Sequence, residues 1–303
     1  MSFYNKEIKK SNETTSIEHL IHVKNLTFNF FDKKVLFDIN LNLQPGQRCL
    51  VVGSNGAGKS TLLRVLAGKH MVPHSCEFSV LGSRAPQDQI NGLAFLGNNW
   101  SRTVAFAASN VAYQCDIPVK DMMSKLQKDY PERRNMLVKL LNIDLNWRMH
   151  QVSDGQRRRV QIMLGLIKPF RVLLMDEITV DLDVVARQDL LTFLISECET
   201  RGACILYATH IFDGLDDWTT DVMYLKAGKT KGIKSLVNFE DWKERKTNGQ
   251  HNPLLRAVEK RMRTERLNET IFEPAEMTAK QRSNSKFGPQ GGFASGRFHN
   301  YWG

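Results

Sequence analysis

The sequence contains no long apolar run. No segment approaches the roughly 18 consecutive apolar residues that a membrane-spanning helix needs. The first twenty residues are polar and lack the apolar core of a secretory signal. We therefore expect neither a membrane span nor export.

Cysteine is scarce and is never arranged for pairing. The number of cysteines is odd, and none has the C-x-x-C spacing of zinc or redox sites. Disulfide-stapled proteins need paired cysteines in an oxidising compartment. We expect reduced core thiols in a protein of the cytoplasm or the nucleus. The five residues are Cys49, Cys76, Cys115, Cys198 and Cys204.

Acidic residues are in deficit, mostly toward the end of the chain. The sequence has 42 Lys and Arg against 32 Asp and Glu, a formal net charge of +10. From Lys229 onward there are 15 basic and 8 acidic residues, so +7 of that charge lies in the last quarter. Such a segment is able to bind nucleic acid, an acidic protein surface or membrane headgroups. The alternative is a solvated basic extension.

One stretch has the form of a phosphate-binding loop. Residues 53–61 read GSNGAGKST and fit the pattern G-x-x-x-x-G-K-[ST]. Its glycines allow backbone N–H groups to approach a triphosphate closely. Lys59 supplies a charge for the β- and γ-phosphates, and Ser60 a hydroxyl ligand for Mg²⁺. The predicted nucleotide-binding residues here are Gly53, Ser54, Asn55, Gly56, Ala57, Gly58, Lys59, Ser60 and Thr61.

Two acids follow another apolar run. Residues 171–177 read RVLLMDE, which is typical of a buried parallel strand with Asp176 and Glu177 at its carboxyl end. One carboxylate can hold Mg²⁺, and the next can orient or deprotonate an attacking water. The alternative is an acidic turn after a core strand.

A histidine follows a further apolar run. Residues 204–208 predict a buried strand that ends in Thr209 and His210. A lone histidine is usually a hydrogen-bonded structural residue. At the end of a strand in this sheet it can instead reach a γ-phosphate.

The remaining segments divide into strand and helix patterns. Alternating apolar residues from Ile21 to Leu43 predict antiparallel strands. An aromatic residue there, among Phe28, Phe30 and Phe31, either stacks on a nucleotide base or belongs to the core. Helical patterns dominate from about 98 to 170, with Pro118 and Pro131 each placed to start a helix.

The order of these motifs resembles the nucleotide-binding domain of ABC ATPases. The resemblance covers about Ile21 to Gly228 and includes an S-D-G-Q loop at 153–156 and a D-L-D sequence at 181–183. It implies an α/β P-loop NTPase fold of ABC type, with a RecA-like core, an antiparallel β subdomain and a helical subdomain, followed by a basic C-terminal extension. The predicted segments are a lead-in at 1–19, the ATPase domain at 20–228 with its helical subdomain at about 98–170, and the extension at 229–303.

The resemblance also implies roles, with ATP as substrate and Mg²⁺ as cofactor. Residues 153–156 are the signature loop, which covers the nucleotide of another copy, and residues 181–183 are the D-loop. The implied catalytic residues are Lys59, Glu177 and His210. Besides the phosphate loop, the implied nucleotide contacts are Phe30 on the adenine, Ser153, Asp154, Gly155, Gln156 and Asp181. The implied metal ligands are Ser60, Asp176 and Asn98.

Three positions depart from the family pattern. Asn98 aligns with the usual Gln of a metal and water contact, and its side chain is one methylene shorter. Asp154 replaces a Gly, so it weakens γ-phosphate binding if it points inward, unless a neighbour such as Arg158 neutralises it. Ile178 replaces a frequent Pro, which affects only loop stiffness.

Three longer stretches resemble one soluble subgroup of the superfamily. Residues 147–162, 176–184 and 207–214 are similar to fungal stand-alone ABC ATPases associated with the CCR-NOT complex, with plant relatives. This implies a regulatory ATPase with CCR-NOT components as partners. The alternatives are the ATPase subunit of a transporter with separate membrane subunits, and a nucleic-acid-binding module acting through its basic tail. Because each motif occurs once, a head-to-tail homodimer is implied.

Overall fold

The computed structural model describes residues 19–31, 33–72, 75–84, 91–97, 104–106, 109–111 and 117–271. The chain forms two units, Met1–Glu259 and Lys260–Gly303. The strands are β1 (Ile21–Phe30), β2 (Lys33–Leu43), β3 (Arg48–Val52), β4 (Glu77–Val80), β5 (Leu93–Leu96), β6 (Val104–Phe106), β7 (Ser109–Val111), β8 (Val172–Asp176), β9 (Cys204–Ala208), β10 (Asp221–Lys226) and β11 (Lys229–Ser235). The helices are α1 (Lys59–Leu66), α2 (Ser124–Asp129), α3 (Pro131–Leu140), α4 (Asp154–Leu166), α5 (Val184–Arg201), α6 (Glu240–Thr247) and α7 (Pro253–Ile271).

A six-stranded sheet forms the core, in the order β11-β10-β3-β9-β8-β5. Neighbouring strands from β10 to β5 are parallel, and β11 adds an antiparallel edge. Every residue of β8 and of β9 is buried, as expected for strands covered on both faces. Parallel strands bring their carboxyl ends to one edge, so the segments after β3, β8 and β9 meet there.

A second sheet is antiparallel, in the order β2-β1-β4. Its strands alternate buried and exposed residues, because one face covers the core and the other meets solvent. The antiparallel strands predicted from Ile21 to Leu43 are confirmed. The α/β fold with an added antiparallel sheet is confirmed as well.

Helices follow in the region after β7. Pro131 is the first residue of α3, where its missing N–H costs nothing, so this predicted start is confirmed. Pro118 precedes a 3-10 helix at Val119–Asp121 rather than an α-helix, and α2 begins only at Ser124. The partly buried guanidinium of Arg133 on α3 holds the buried carboxylate of Glu197 on α5 through two hydrogen bonds of 2.8 Å.

The chain continues past the β10–β11 hairpin into α6 and the start of α7. The predicted domain boundary after residue 228 falls between the two strands of this hairpin. Trp242 of α6 is buried, and its indole N–H donates to the carboxylate of Asp216 at 3.3 Å. The same carboxylate oxygen accepts the backbone N–H of Leu254 at 2.8 Å, near the start of α7. Asp216 thereby ties α6 and the first turn of α7 to the loop before β10.

Within the described part of the chain, no helix has the length and apolar character that crossing a membrane requires. Cys49, Cys76, Cys198 and Cys204 are free thiols and buried. Cys115 lies outside the described residues. Reduced core thiols are therefore confirmed for these four.

Candidate functional site

The phosphate loop joins the end of β3 to α1. Gly58, immediately before the helix, has a φ of +103°, in the left-handed region that favours glycine. A Cβ on Gly53 would lie only 2.1 Å from the carbonyl oxygen of Leu225 on β10. The loop can follow this path because glycine occupies both positions.

Lys59 is the first residue of α1 and folds back over the loop. Its Nζ donates to the carbonyl oxygens of Gly53 at 2.9 Å and Ser54 at 3.1 Å, and it lies 3.3 Å from Nε2 of His210. Burial lowers the pKa of Lys59, while the carboxylates of Glu177 and Asp176 oppose that shift. The ammonium group thus lies between the phosphate loop and the segment after β9.

Ser60 and Asp176 meet across the site. The Ser60 hydroxyl donates to Oδ1 of Asp176 at 3.0 Å. Burial raises the pKa of Asp176, and the Ser60 hydrogen bond and the positive charges of Arg64 and Lys59 oppose this. A hydroxyl and a carboxylate fit Mg²⁺, which takes one or two protein oxygens and completes its shell with phosphates and water. Among the described residues, no group of three or more His, Cys, Asp or Glu side chains is placed to hold a metal.

Glu177 lies between the ends of β8 and β9. Its backbone N–H donates to the carbonyl oxygen of Ala208 at 2.9 Å. Its Oε2 accepts the backbone N–H of His210 at 3.4 Å, and its Oε1 lies 3.4 Å from Nε2 of the same residue. Burial raises the pKa of Glu177, with the nearby His210 opposing. The carboxylate is therefore adjacent to both Lys59 and His210.

The backbone at Glu177 is strained. Its φ is +53°, a left-handed conformation that costs about 1–2 kcal/mol for a residue with a Cβ. The next two residues, Ile178 and Thr179, are buried, and the Thr179 hydroxyl lies 2.6 Å from that of Tyr207. Backbone outliers of this kind concentrate at functional sites, where the surrounding structure holds them.

Residues 55–61 of the phosphate loop, Glu177 and His210 border one cavity of about 520 Å³. A volume of this size is in the range of small-molecule sites. The residues that line it are Val35, Asn55, Gly56, Ala57, Gly58, Lys59, Ser60, Thr61, Glu177, Val180 and His210.

Residues 153–156 lie apart from this lining and begin α4. The Ser153 hydroxyl accepts the backbone N–H of Gln156 at 3.2 Å, and the Gln156 side chain accepts the backbone N–H of Ser153 at 2.9 Å. This capping box fixes the start of the helix. The Asp154 side chain is 85% exposed and pairs with Arg157. Arg158, the neighbour named from the sequence as able to neutralise Asp154, reaches another carboxylate.

That carboxylate belongs to Asp181. Arg158 donates to its Oδ2 from Nε at 3.1 Å and from Nη2 at 3.0 Å. A Cβ on Gly155 would lie 2.9 Å from the carbonyl oxygen of Asp181, so the two segments are in close contact. Asp183 caps α5 by accepting the backbone N–H of Ala186 at 2.9 Å.

Comparison with known proteins decides the family. Residues 36–180 match the family described as ABC transporter. The chain is 48% identical over 272 residues to ABC transporter I family member 20 of Arabidopsis thaliana, covering 86% of this chain and 79% of the relative. The chain belongs to the ABC transporter family and carries its ATPase domain. It is also 42% identical over 251 residues to CCR4-associated factor 16 of Saccharomyces cerevisiae, covering 76% of this chain and 84% of the relative.

Solved structures share the fold of this ABC ATPase domain. An ATP-binding subunit of an ABC transporter matches with a TM-score of 0.63 and 21% identity, covering 76% of this chain and 93% of its own. A dimeric ATP-binding cassette in a post-hydrolysis state, bound to ADP and Pi, matches with a TM-score of 0.57 and 19% identity, covering 71% and 98%. At these identities the likeness shows the fold alone.

The aromatic residues at the end of β1 differ in their surroundings. Phe28 is buried in the core, whereas Phe31 is 98% exposed. Phe30 is 37% exposed, and its ring meets those of Phe28 and His70 edge-on, with centroids 5.1 and 4.9 Å away. It does not line the cavity, although Val35 on the paired strand does. The adenine-stacking role of Phe30 stays a prediction.

Some site residues lay beyond sequence reasoning. Val35 and Val180 line the cavity, yet apolar residues at such positions carry no signal for phosphate chemistry. The partnership of Arg158 with Asp181 joins residues 23 apart in sequence, a separation at which residue spacing gives no signal. Asn98 lies outside the described residues, so its metal contact stays a prediction.

Proposed function

We propose that this chain binds ATP with Mg²⁺ and hydrolyses it to ADP and phosphate. The observation that carries the proposal is the cavity in which the phosphate loop meets Glu177 and His210. Membership of the ABC transporter family and possession of its ATPase domain support it.

The phosphate loop holds the triphosphate. Its backbone N–H groups and the N-terminus of α1 attract the phosphate oxygens. The Lys59 ammonium, which bonds two loop carbonyls, is placed to exchange them for β- and γ-phosphate oxygens. Phe30 stacks on the adenine from the end of β1.

Glu177 and His210 act at the γ-phosphate. The oxygen of a water attacks the γ-phosphorus, the bond from that phosphorus to the bridging oxygen breaks, and ADP leaves. Glu177 accepts the proton of the water. His210, within 3.4 Å of Glu177, donates to a γ-phosphate oxygen and holds the group in line.

The metal site comprises Ser60 and Asp176, with Asn98 as a further ligand. Mg²⁺ bound there supplies positive charge that neutralises the β- and γ-phosphates. The hydrogen bond from Ser60 to Asp176 keeps the two protein oxygens together at that position.

A second copy completes the site. Residues 153–156 and Asp181 do not line the cavity of their own chain, so their nucleotide contacts require another chain. Around the D-loop, Val180, Val184 and Val185 expose 53%, 84% and 69% of their surface, which favours an interface there. A dimeric ATP-binding cassette of the same fold supports a dimer, which we propose to be head-to-tail.

The biological role is ATP-driven regulation of a protein complex of the CCR-NOT kind, in the cytoplasm or the nucleus. The 42% identity to CCR4-associated factor 16 supports it. A second candidate is the ATP-hydrolysing subunit of a transporter with separate membrane subunits. The family description and the 29% identity to a probable sulfate/thiosulfate import ATP-binding protein of Chlorella vulgaris favour that one.

Phosphate release from purified protein tests the chemistry. Lys59→Ala should abolish ATP binding, and Glu177→Gln should retain ATP while losing turnover. Lys69→Ala and Glu199→Gln, both on the surface, are matched controls that should hydrolyse like the wild type. Undiminished hydrolysis by Glu177→Gln would overturn the assignment of the base.

Sedimentation tests the dimer. With saturating Mg-ATP, Glu177→Gln should sediment as a dimer, since the nucleotide stays bound between two chains. A Glu177→Gln protein that stays monomeric would sink the sandwich arrangement. Lys59→Ala provides the nucleotide-free control.

Purification from native cells, with and without residues 229–303, tests the role. Recovery of regulatory proteins of the CCR-NOT kind supports the first candidate, and recovery of membrane-spanning proteins supports the transporter subunit. Salt-dependent RNA binding that is lost on truncation after Gly228 would instead make the basic tail a nucleic-acid-binding module.

A further inference from the structure

One face of α4 carries a buried polar network. Arg158, Gln161 and Gly165 are spaced three and four residues apart, so they lie on the same side of the helix. Only 8% of Arg158 and 5% of Gln161 is exposed. Nη1 of Arg158 donates to Oε1 of Gln161 at 2.7 Å. The two side chains thus form a continuous polar connection along the helix.

At one end the network reaches the strand end before Asn98. The Gln161 amide donates to the carbonyl oxygen of Gly97 at 2.8 Å. Gly165, one turn further along α4, allows this approach, because a Cβ there would lie 2.3 Å from the Leu96 side chain. Gly165 therefore leaves room for the Leu96 side chain, and the Gln161 amide adds one hydrogen bond between α4 and the end of β5.

At the other end the network reaches the D-loop. Arg158 holds Oδ2 of Asp181 with two N–H groups, and Gly155 contacts the backbone of the same residue. The guanidinium group thus bridges the signature helix to the D-loop, and through Gln161 to the strand end at Gly97.

Stability alone does not account for a buried network of this kind. The Asp181 side chain is 36% exposed, so its ion pair with Arg158 is partly solvated and contributes little to stability. A fully connected polar network does impose one relative geometry on the segments it joins. Two of the three segments joined here, the start of α4 and the D-loop, border nucleotide in the proposed dimer.

We infer that Arg158 and Gln161 are positioning residues for hydrolysis, holding the signature loop and the D-loop in one relative geometry where the chain presents them to its partner. The inference rests on the proposed function. In the proposed dimer, residues 153–156 and Asp181 face the other nucleotide, and the carbonyl of Gly97 at the end of β5 holds the inner end of the network. Breaking the network leaves each ATP bound but lets the covering segments move independently.

Kinetics of single variants separate positioning from folding. Gln161→Met should lower kcat about fivefold and Arg158→Met about tenfold, with the Kd for ATP unchanged within about twofold. Gln161→Glu keeps the acceptor for Arg158 but loses the donor to Gly97, so it should slow hydrolysis like Gln161→Met. Combining Arg158→Met with Asp181→Asn should be no slower than the slower single variant, because both remove the same pair.

Gln127→Met is the matched control. Gln127 is equally buried, and its amide donates to the backbone carbonyls of Val119 and Met122, away from the cavity. It should lose stability and keep the kcat of wild type per folded molecule. Wild-type kcat in Arg158→Met and Gln161→Met would overturn the inference, as would an equal slowing by Gln127→Met.

Hydrogen exchange supplies a readout that does not need turnover. In the Glu177→Gln background, Mg-ATP should protect amides of 153–156 and 181–183, and adding Gln161→Met should remove most of that protection. Equal protection with and without Gln161→Met overturns the inference. Hydrolysis that is unaffected by Lys59→Ala would contradict the proposed function instead, which keeps the two failures distinct.

Discussion

The hydroxyl oxygens of Tyr207 and Thr179 lie 2.6 Å apart in the protein interior. Tyr207 lies on β9, three residues before His210, and Thr179 lies two residues after Glu177. Trp218 packs edge-on against the Tyr207 ring at a centroid distance of 5.9 Å. The pair thus joins the two segments that carry Glu177 and His210, in addition to the backbone pairing of β8 with β9.

Removing either hydroxyl should destabilise the fold. Tyr207→Phe should lower the free energy of unfolding by about 1–3 kcal/mol, because it leaves the Thr179 hydroxyl buried without its partner. Thr179→Val should cost less, since Thr209 is a second hydrogen-bond partner of Tyr207. In urea unfolding, the double variant should lose less stability than the sum of the losses of the two single variants. Thr192→Val on the exposed face of α5 is the control, and additive losses would contradict the pairing.

Substitution of Gly53 should lower the stability of the fold by more than backbone strain alone would. Gly53→Ala places a methyl group on the carbonyl of Leu225, so we expect a loss of about 3 kcal/mol of stability and impaired ATP binding. Gly46→Ala is the matched control: its φ is also positive, at +84°, but nothing lies within 4 Å of the added Cβ. It should cost about 1 kcal/mol and leave ATP binding unchanged. Equal effects in chemical unfolding would contradict the steric explanation.

Asp216 and Asp217 should differ in how much each stabilises α6 and the start of α7. Asp216→Ala removes the acceptor for Trp242 and for the Leu254 N–H in the first turn of α7, which should cost about 1–2 kcal/mol. Asp217→Ala removes only an exposed pair with Lys246 and should cost less than about 1 kcal/mol. Thermal denaturation measures both. A larger loss for Asp217→Ala would show that Asp216 does not anchor these helices.

His70 should make stability depend on mildly acidic pH. Its Nε2 is buried without a hydrogen-bond partner, and burial, with Arg64 adding to it, lowers the pKa of His70 from its ordinary 6.5. The folded state therefore binds the proton more weakly than the unfolded state. The stability contribution is present above about pH 6.5 and is lost as the pH falls through the folded pKa. His70→Phe should lose less stability than wild type on acidification, and parallel melting curves would contradict this.

Buried thiols should resist modification until the protein unfolds. Burial raises the pKa of Cys198 to about 11 and also raises those of Cys49 and Cys204. Since the thiolate is the reactive form, alkylation of these three residues should be slow in native protein and fast in urea. Peptide mass spectrometry gives the rate at each site. Rapid native labelling of Cys204 would contradict its place in the central sheet.

Much of the fold was open to sequence reasoning because its signals are local. An apolar run before the glycine-rich loop identified β3, and the runs before Asp176 and before His210 identified β8 and β9. Parallel strands covered on both faces require such runs, so the pattern and the structure share one cause. The start of α3 at Pro131 followed for a similar reason, whereas Pro118 produced only a short turn since proline permits a helix start without requiring one.

The partners of charged side chains were less accessible. Asp154 has two arginines within four residues, and helix periodicity allows either to reach it. Asp154 pairs with Arg157. Arg158 instead lies on the buried face of α4, where it binds Asp181 of a different loop. Sequence spacing carries no information about which loop packs against that face of α4.

The sequence by itself determined the strand-loop-helix at Gly53, the two carboxylates at the end of β8, and the order of these strands along the chain. Only the tertiary structure decided that Lys59 and His210 approach within 3.3 Å, that Tyr207 meets Thr179, and that Arg158 and Gln161 connect α4 to two separate loops. The physical reason is how far apart in the sequence the residues that decide each feature lie. A turn, a cap or a buried strand depends on a few adjacent residues, whereas these contacts depend on how closely whole elements pack, and positions such as Gly165 set that packing.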